Sequence, residues 1–154
     1  MRFSLKGGDW LGKLTKSIEI EASPENVFTF INDMKKMNEA GKGFVEGEDT
    51  SEGPVGVGST VHFVTASGME YDVEVTEFVK NKKKASRTIG AGKVKMTQSW
   101  TLEPTAKGTK LTYNTEYELP YSYLGKLIDK LKVSKDLEKE VGKMLENIKK
   151  ALEA

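Results

Sequence analysis

The residue types that most often carry out catalysis are sparse in this chain of 154 residues. Its one histidine, His62, could act as a general base, but it alternates with Val61 and Phe63, which predicts a surface or rim position. Cysteine is absent, so disulfides, thiolate catalysis and Cys-ligated metals are excluded. No HExxH or multi-histidine spacing and no EF-hand loop occurs. These absences do not exclude a Ca²⁺ or Mg²⁺ site made of carboxylates alone. We expect no catalytic residue, no metal site and no cofactor.

Two glycine clusters could in principle bind phosphate, but neither has the required spacing. Residues 53–58 read GPVGVG, which does not match GxGxxG and leads into a predicted strand. The segment GAGK at 90–93 lacks both the earlier glycine and the following Ser or Thr of a P-loop. Both clusters are therefore interpreted as turns.

A basic run covers residues 80–87, with five Lys or Arg side chains that could hold an anion or a phospholipid head group. The run has no interleaved aromatic residues, and it coincides with a predicted hairpin turn. A solvated turn is therefore the interpretation that we favour.

The overall charge gives no reason to expect a nucleic acid or an acidic membrane as partner. Lys and Arg total 24 against 23 Asp and Glu, for a formal net charge of +1. No apolar run approaches the roughly 20 residues of a membrane span, and the N-terminal residues lack the apolar segment of a signal peptide. We expect a cytoplasmic protein that binds no nucleic acid and does not insert stably into a membrane.

The hydrophobic pattern predicts one domain at residues 10–154, after a flexible lead-in at residues 1–9. Alternating apolar residues from Trp10 to Ile20 predict a first strand. Ser23 is then a preferred N-cap, Pro24 suits the first helical position, and a second short helix is expected at 33–40. Further alternation predicts strands near 59–66, 69–79, 84–89, 94–102 and 111–119, which hairpin turns join into an antiparallel sheet.

A long amphipathic helix is predicted from Tyr121 to Ala154. Its apolar residues recur at steps of three and four, with lysines and carboxylates between them. Such a stripe needs an apolar surface of similar length, and the concave face of the sheet is the one available.

Five segments in this order resemble a known superfamily. They are IEIEASPENVFTFINDM, GPVGVGSTVHF, VEVTEFVKNKKKASR, QSWTLEPTAKGTKLTY and the terminal YELPYSYLGKLIDKLKVSKDLEKEVGKMLENIKKALE. The chain resembles, over residues 13–153, the START-related (SRPBCC) superfamily, which includes birch-pollen allergens, the polyketide cyclase/dehydrase group and lipid-transfer domains. Residues 37–40 depart from it, because many members carry a tryptophan-containing segment there.

The resemblance implies an α+β helix-grip fold. In this fold a curved antiparallel sheet of about six or seven strands wraps around the long C-terminal helix, two short helices follow the first strand, and a cavity between sheet and helix holds an apolar ligand. By alternation along the strands, the cavity-lining candidates on the sheet are Val61, Phe63, Tyr71, Val73, Met96, Gln98, Trp100, Tyr113, Thr115 and Tyr117, and the facing helix would contribute Leu124, Leu127, Ile128 and Leu131.

These residues could equally pack as a dry core, because apolar residues at such spacings are ordinarily buried. An empty void of about 300 Å³ would cost about 7 kcal/mol, which is comparable with the whole stability of a domain. The space is therefore expected to contain bulky side chains, water or a ligand.

Three functions are compatible with the sequence. The leading hypothesis is binding or transport of a small hydrophobic or amphipathic ligand, such as a lipid or polyketide, by a monomer or weak dimer. An enzyme resembling the polyketide cyclases or dehydrases would use Gln98, Tyr113 or Tyr117 to orient a substrate, and Arg87 or a pocket carboxylate to polarise it. A partner-binding module resembling activators of a heat-shock ATPase would use an exposed face instead.

Overall fold

A computed structural model describes residues 2–6, 9–90, 94–120 and 130–154, with side chains described for 12–90, 94–118 and 135–154. Eight strands and three helices lie within these ranges. In chain order they are β1 (Arg2–Lys6), β2 (Asp9–Ile20), α1 (Pro24–Ile31), α2 (Met34–Ala40), β3 (Val45–Asp49), β4 (Thr60–Thr65), β5 (Glu70–Val79), β6 (Lys83–Ile89), β7 (Lys95–Pro104), β8 (Thr109–Pro120) and α3 (Lys130–Glu153).

The strands form one antiparallel sheet in the order β1-β2-β8-β7-β6-β5-β4-β3. Its longest pairing joins β2 to β8, from Asp9 opposite Pro120 to Ile20 opposite Thr109. The predicted α+β helix-grip fold is confirmed, with eight described strands where about six or seven were expected. The additional strand is β1, which pairs with β2 inside the segment that the sequence analysis treats as a lead-in. The division of the chain into lead-in and domain stays a prediction.

The two short helices begin where their capping residues predict. The Ser23 side chain accepts a hydrogen bond from the Asn26 backbone N–H over 3.2 Å, and Pro24 is the first residue of α1. Asp33 caps α2 in the same way by accepting from the Lys36 N–H over 3.2 Å. Each side chain satisfies a backbone donor that the first helical turn leaves without a partner.

The main core lies at the end of the molecule where α1, α2 and the C-terminal part of α3 meet β2, β7 and β8. Its most deeply buried side chains include Ile20, Val27, Leu111, Leu145 and Ile148. These residues come from four different elements, so their burial ties the helices to the sheet.

Polar contacts add to this packing along α3. The Asn147 side chain donates to the Ala40 carbonyl over 3.0 Å, and Lys149 Nζ donates to the Glu19 carbonyl over 2.8 Å. Both contacts join the C-terminal part of α3 to residues at the ends of α2 and β2. The helix predicted at residues 121–154 is seen from Lys130 onwards, and residues 121–129 lie outside the described part of the chain.

A bulge shapes β5. The register against β6 shifts between Val75 and Glu77, and such a bulge bends a strand and increases its twist. After the shift Phe78 turns inward and its ring lies 5.1 Å from the ring of Phe28, while Val79 is 43% exposed. Because of the bulge, β5 contributes Phe78 to the main core and its earlier residues to the neighbouring cavity described below.

No helix in the described ranges is long and apolar enough to cross a membrane.

Candidate functional site

An apolar cavity of about 210 Å³ lies between the inner face of the sheet and the helices. Strands β3 to β8 supply most of its wall, and α1, α2 and α3 close it from the other side. Ile31, Tyr113 and Met144 belong both to this wall and to the main core, so the cavity borders the core directly. The inner face of the fold is therefore not completely filled by side chains.

The structure places all ten sheet residues named from the alternation on the wall of this cavity. They are Val61, Phe63, Tyr71, Val73, Met96, Gln98, Trp100, Tyr113, Thr115 and Tyr117. That these residues contact a ligand stays a prediction.

The helical candidates are different. Leu124, Leu127 and Ile128 lie outside the described residues, and Leu131 lies in α3 without a described side chain. The described part of α3 contributes Leu137 and Met144 to the wall instead.

Sequence reasoning did not name the part of the wall that the short helices, the following loop and the start of β3 supply. This part consists of Ile31, Met34, Met37, Asn38, Phe44 and Val45. The spacing of Met34 and Met37, three residues apart, is the signal that could have placed them on one helix face. Asn38 exchanges two hydrogen bonds of 2.8 Å with the Gly47 backbone, which fixes α2 against β3.

Methionines form a distinctive share of the wall. Five of the six methionines in the chain lie there, namely Met34, Met37, Met69, Met96 and Met144. Methionine is unbranched and polarizable, so it can adjust to guests of different outline. The wall is therefore suited to apolar groups of more than one shape.

Aromatic rings pack in pairs on the same wall. The rings of Trp100 and Tyr113 lie 4.6 Å apart between centroids, and those of Phe63 and Tyr71 lie 5.5 Å apart. Both separations fall in the range of favourable aromatic contacts. The two pairs hold large flat surfaces in fixed positions on different parts of the sheet.

The tyrosines of the wall are neutral groups near neutral pH. Burial raises the pKa of Tyr113 to about 12, and it also raises the pKa values of Tyr71 and Tyr117. A buried phenol resists ionisation because the low-dielectric surroundings disfavour the charged form. These hydroxyls can orient a polar group, but they do not supply a base.

One positive charge reaches the cavity, and the sequence interpretation of the basic run missed it. The solvated turn ends before β6, and Lys84 and Ser86 both line the cavity. Burial lowers the pKa of Lys84, and the Asp49 carboxylate opposes this effect. Among the described residues no carboxylate forms an ion pair with Lys84.

His62 lies outside the cavity wall, in agreement with the predicted surface or rim position. Its Nδ1 is 2.8 Å from Asp72 Oδ1, and its Nε2 is 3.1 Å from Glu70 Oε1. Within the described residues no group of three or more acidic or histidine side chains is placed to hold a metal ion.

Comparison with protein families gives one match over most of the chain. Residues 12–153 match the family model described as polyketide cyclase / dehydrase and lipid transport. That span covers the whole cavity wall. A comparison with curated proteins finds no matching sequence.

Solved structures with the same fold come from several organisms. The protein TTHA0849 from Thermus thermophilus matches with a TM-score of 0.72 and 20% identity, covering 92% of this chain and 96% of that chain. The di-domain ARO/CYC StfQ from the steffimycin biosynthetic pathway matches with a TM-score of 0.73 and 15% identity. The match covers 93% of this chain and 51% of the StfQ chain. Truncated norcoclaurine synthase from Thalictrum flavum matches with a TM-score of 0.64 and 18% identity, covering 96% of this chain and 97% of that chain. At these identities the likeness concerns the fold alone.

Proposed function

The chain belongs to the polyketide cyclase/dehydrase and lipid transport family, and on this premise we propose that it binds or transports a small hydrophobic or amphipathic molecule. The observation that carries the proposal is the cavity of about 210 Å³ under the sheet. Apolar walls with a few placed polar groups are typical of small-molecule sites.

The energetic cost of an empty cavity supports an occupant. A void of 210 Å³ would cost on the order of 5 kcal/mol at about 24 cal/mol per Å³. Native domains are stable by only about 5–15 kcal/mol in total. Apolar walls also hold water poorly, because each buried water needs several polar partners. An organic guest would remove this cost.

The enzyme alternative receives less support. Arg87, which would polarise a substrate, is exposed and does not line the cavity. Among the described wall residues there is no carboxylate, and the tyrosines are neutral. A collapsed interior would have favoured the partner-binding alternative, and the structure has a cavity instead. Cytoplasmic location, a monomeric or weakly dimeric state and the absence of nucleic-acid binding stay predictions from the sequence.

A matched pair of substitutions tests the proposal. Val73 is 3% exposed and faces the cavity, whereas Val64 on the neighbouring strand is 38% exposed. We expect Val73→Phe to fill part of the cavity and weaken binding of uncharged decanamide by about tenfold or more. Val64→Phe makes the same change on the outer face and should leave binding unaltered.

Tryptophan fluorescence provides the readout, because Trp100 lines the cavity. A Trp10→Phe background leaves Trp100 as the single tryptophan of the two in the chain. Native mass spectrometry and solvent extraction of the purified protein would identify any molecule that it already carries. The proposal fails if nothing is extracted and decanamide leaves the Trp100 signal unchanged at its solubility limit.

A further inference from the structure

Lys84 is the one charged side chain among the described residues that line the cavity. It lies on β6 between Phe78 of β5 and Trp100 of β7, which are its partners in the two neighbouring registers. Both flanking side chains are large aromatic groups. The half-buried side chain of Lys84 is therefore flanked by two aromatic residues.

Such a position is unfavourable for an ammonium unless a counter-charge is present. Asp49 on β3 is the acidic group that acts on Lys84, but it is not within ion-pair distance. The preceding lysine of the basic run has an ion-pair partner, because Lys83 Nζ lies 3.0 Å from Glu77 Oε2 on the outer face. Among the described residues Lys84 thus forms no ion pair, although its neighbour in sequence does.

Neutral donors lie beside this charge. Ser86 is two residues along β6 on the same face, about 6–7 Å away by strand geometry, and Gln98 is its direct partner on β7. Gln98 Oε1 already accepts the hydrogen bond of the Tyr113 hydroxyl. The amide nitrogen of Gln98 is then left to donate.

The arrangement combines one cation, two further donors and no carboxylate among the described wall residues. A ligand with a neutral hydroxyl would leave the charge of Lys84 uncompensated. A carboxylate would neutralise this charge and could accept from Ser86 and Gln98 as well, and charge-assisted hydrogen bonds are the stronger kind. The rest of such a ligand would contact the methionines and rings of the wall.

From this geometry we infer that the cavity selects amphipathic molecules with a carboxylate group, which pairs with Lys84 while the hydrocarbon part fills the apolar space. This inference rests on the proposed function and specifies its ligand class. The carboxylate can belong to an aliphatic or to an aromatic acid, because both present the same charged group.

The test compares acids with neutral amides of the same skeleton on the full chain near neutral pH. The probes are decanoate with decanamide, and 2-naphthoate with 2-naphthamide, followed by Trp100 fluorescence or calorimetry. We expect the wild type to bind at least one acid about tenfold or more tightly than its amide. The pair that shows the preference distinguishes aliphatic from aromatic acids.

Three variants make the result specific. Lys84→Met keeps most of the length of the side chain and should bind acid and amide about equally. Lys84→Arg keeps the charge and should restore much of the preference. Lys82→Met removes an exposed charge from the same run and should leave the preference intact.

The possible outcomes separate the inference from the proposed function. Equal binding of acid and amide by the wild type overturns the inference and leaves the carrier function standing. A preference that persists in Lys84→Met also overturns it. If no probe binds the wild type and solvent extraction of the purified protein yields no bound molecule, the proposed function itself fails.

Discussion

The Tyr113 hydroxyl donates a hydrogen bond to Gln98 Oε1 over 3.2 Å, from β8 to β7. The same tyrosine ring packs 4.6 Å from the ring of Trp100, and Tyr113 belongs to the main core. One residue therefore links the core, the aromatic wall and the polar part of the cavity. By engaging the amide oxygen, it also orients the amide nitrogen of Gln98 toward other acceptors.

Removing this hydrogen bond should lower stability by a measurable amount. We expect Tyr113→Phe to decrease the free energy of unfolding by about 1 kcal/mol, because Gln98 loses a donor inside the protein. Urea denaturation of Tyr113→Phe, Gln98→Leu and the double variant would measure the coupling between the two side chains. Strictly additive effects would show that the contact contributes nothing.

Gly12 allows the close approach of an aromatic ring. It lies opposite Tyr117 in the β2–β8 pairing, and a Cβ atom at Gly12 would overlap the Tyr117 ring. We expect Gly12→Ala to lower the free energy of unfolding by about 1–3 kcal/mol, because the ring or the backbone must shift.

Gly56→Ala is the matched control for this substitution, since its Cβ atom would meet no other atom within 4 Å. Its unfolding midpoint should stay close to that of the wild type. Thermal and urea denaturation of both variants would measure the difference. Two equally stable alanine variants would contradict the proposed overlap at Gly12.

The strand residues of the site could be predicted because alternation assigns each strand residue to one of two faces. Val61, Gln98 and Thr115, which this rule alone assigns to the inner face, line the cavity. Lys84 obeys the same rule, but its position in a run of basic residues favoured the interpretation of a solvated turn. Its inward position follows from the register of β6 against β7, which the sequence does not specify.

The helical part of the wall was harder to predict. A helix stripe shows which residues face inward, but it does not show where along the sheet each of them lies. Val141, Leu145 and Ile148 continue the predicted stripe and fill the core, whereas Leu137 reaches the cavity. Met34 and Met37 reach it because α2 packs over β3, a tertiary contact that has no local signal in the sequence.

His62 should titrate above its usual range. Hydrogen bonds to Asp72, and secondly to Glu70, raise its pKa from the ordinary value of about 6.5. The added stability is fully present below the unfolded-state pKa, and it is lost as the pH rises through the higher folded-state pKa.

An NMR titration of the ring protons would measure this pKa without overlap, because the chain has one histidine. Asp72→Asn should move the value back toward 6.5, while Asp49→Asn, on another strand, should leave it unchanged. A wild-type pKa at or below the ordinary value would show that the two contacts do not persist in solution.

Lys84 should reduce the stability of the ligand-free protein. We expect Lys84→Met to raise the free energy of unfolding near neutral pH by about 0.5–2 kcal/mol, a typical gain from relieving an unfavourable charge. The folded-state pKa of Lys84 is lowered by burial, so the unfolded chain binds its proton more readily. The destabilising contribution of Lys84 should therefore decrease as the pH rises from its folded-state pKa to the ordinary value of about 10.4. The advantage of the variant should shrink over the same window.

The comparison between wild type and Lys84→Met separates this effect from those of the described groups that face Lys84. Asp49 on β3 opposes the lowered pKa of Lys84. Tyr71, Tyr113 and Tyr117 have raised folded-state pKa values, so the stability of wild type and variant alike falls as the pH approaches about 10, where unfolded tyrosines ionise. The difference between wild type and Lys84→Met removes this shared effect. Urea denaturation at several pH values, with and without decanoate, would measure the effect. Decanoate should stabilise the wild type more than Lys84→Met, because only the wild type offers it a cation. A variant that is less stable than the wild type at every pH, even without ligand, would show that Lys84 stabilises the fold and would contradict this prediction.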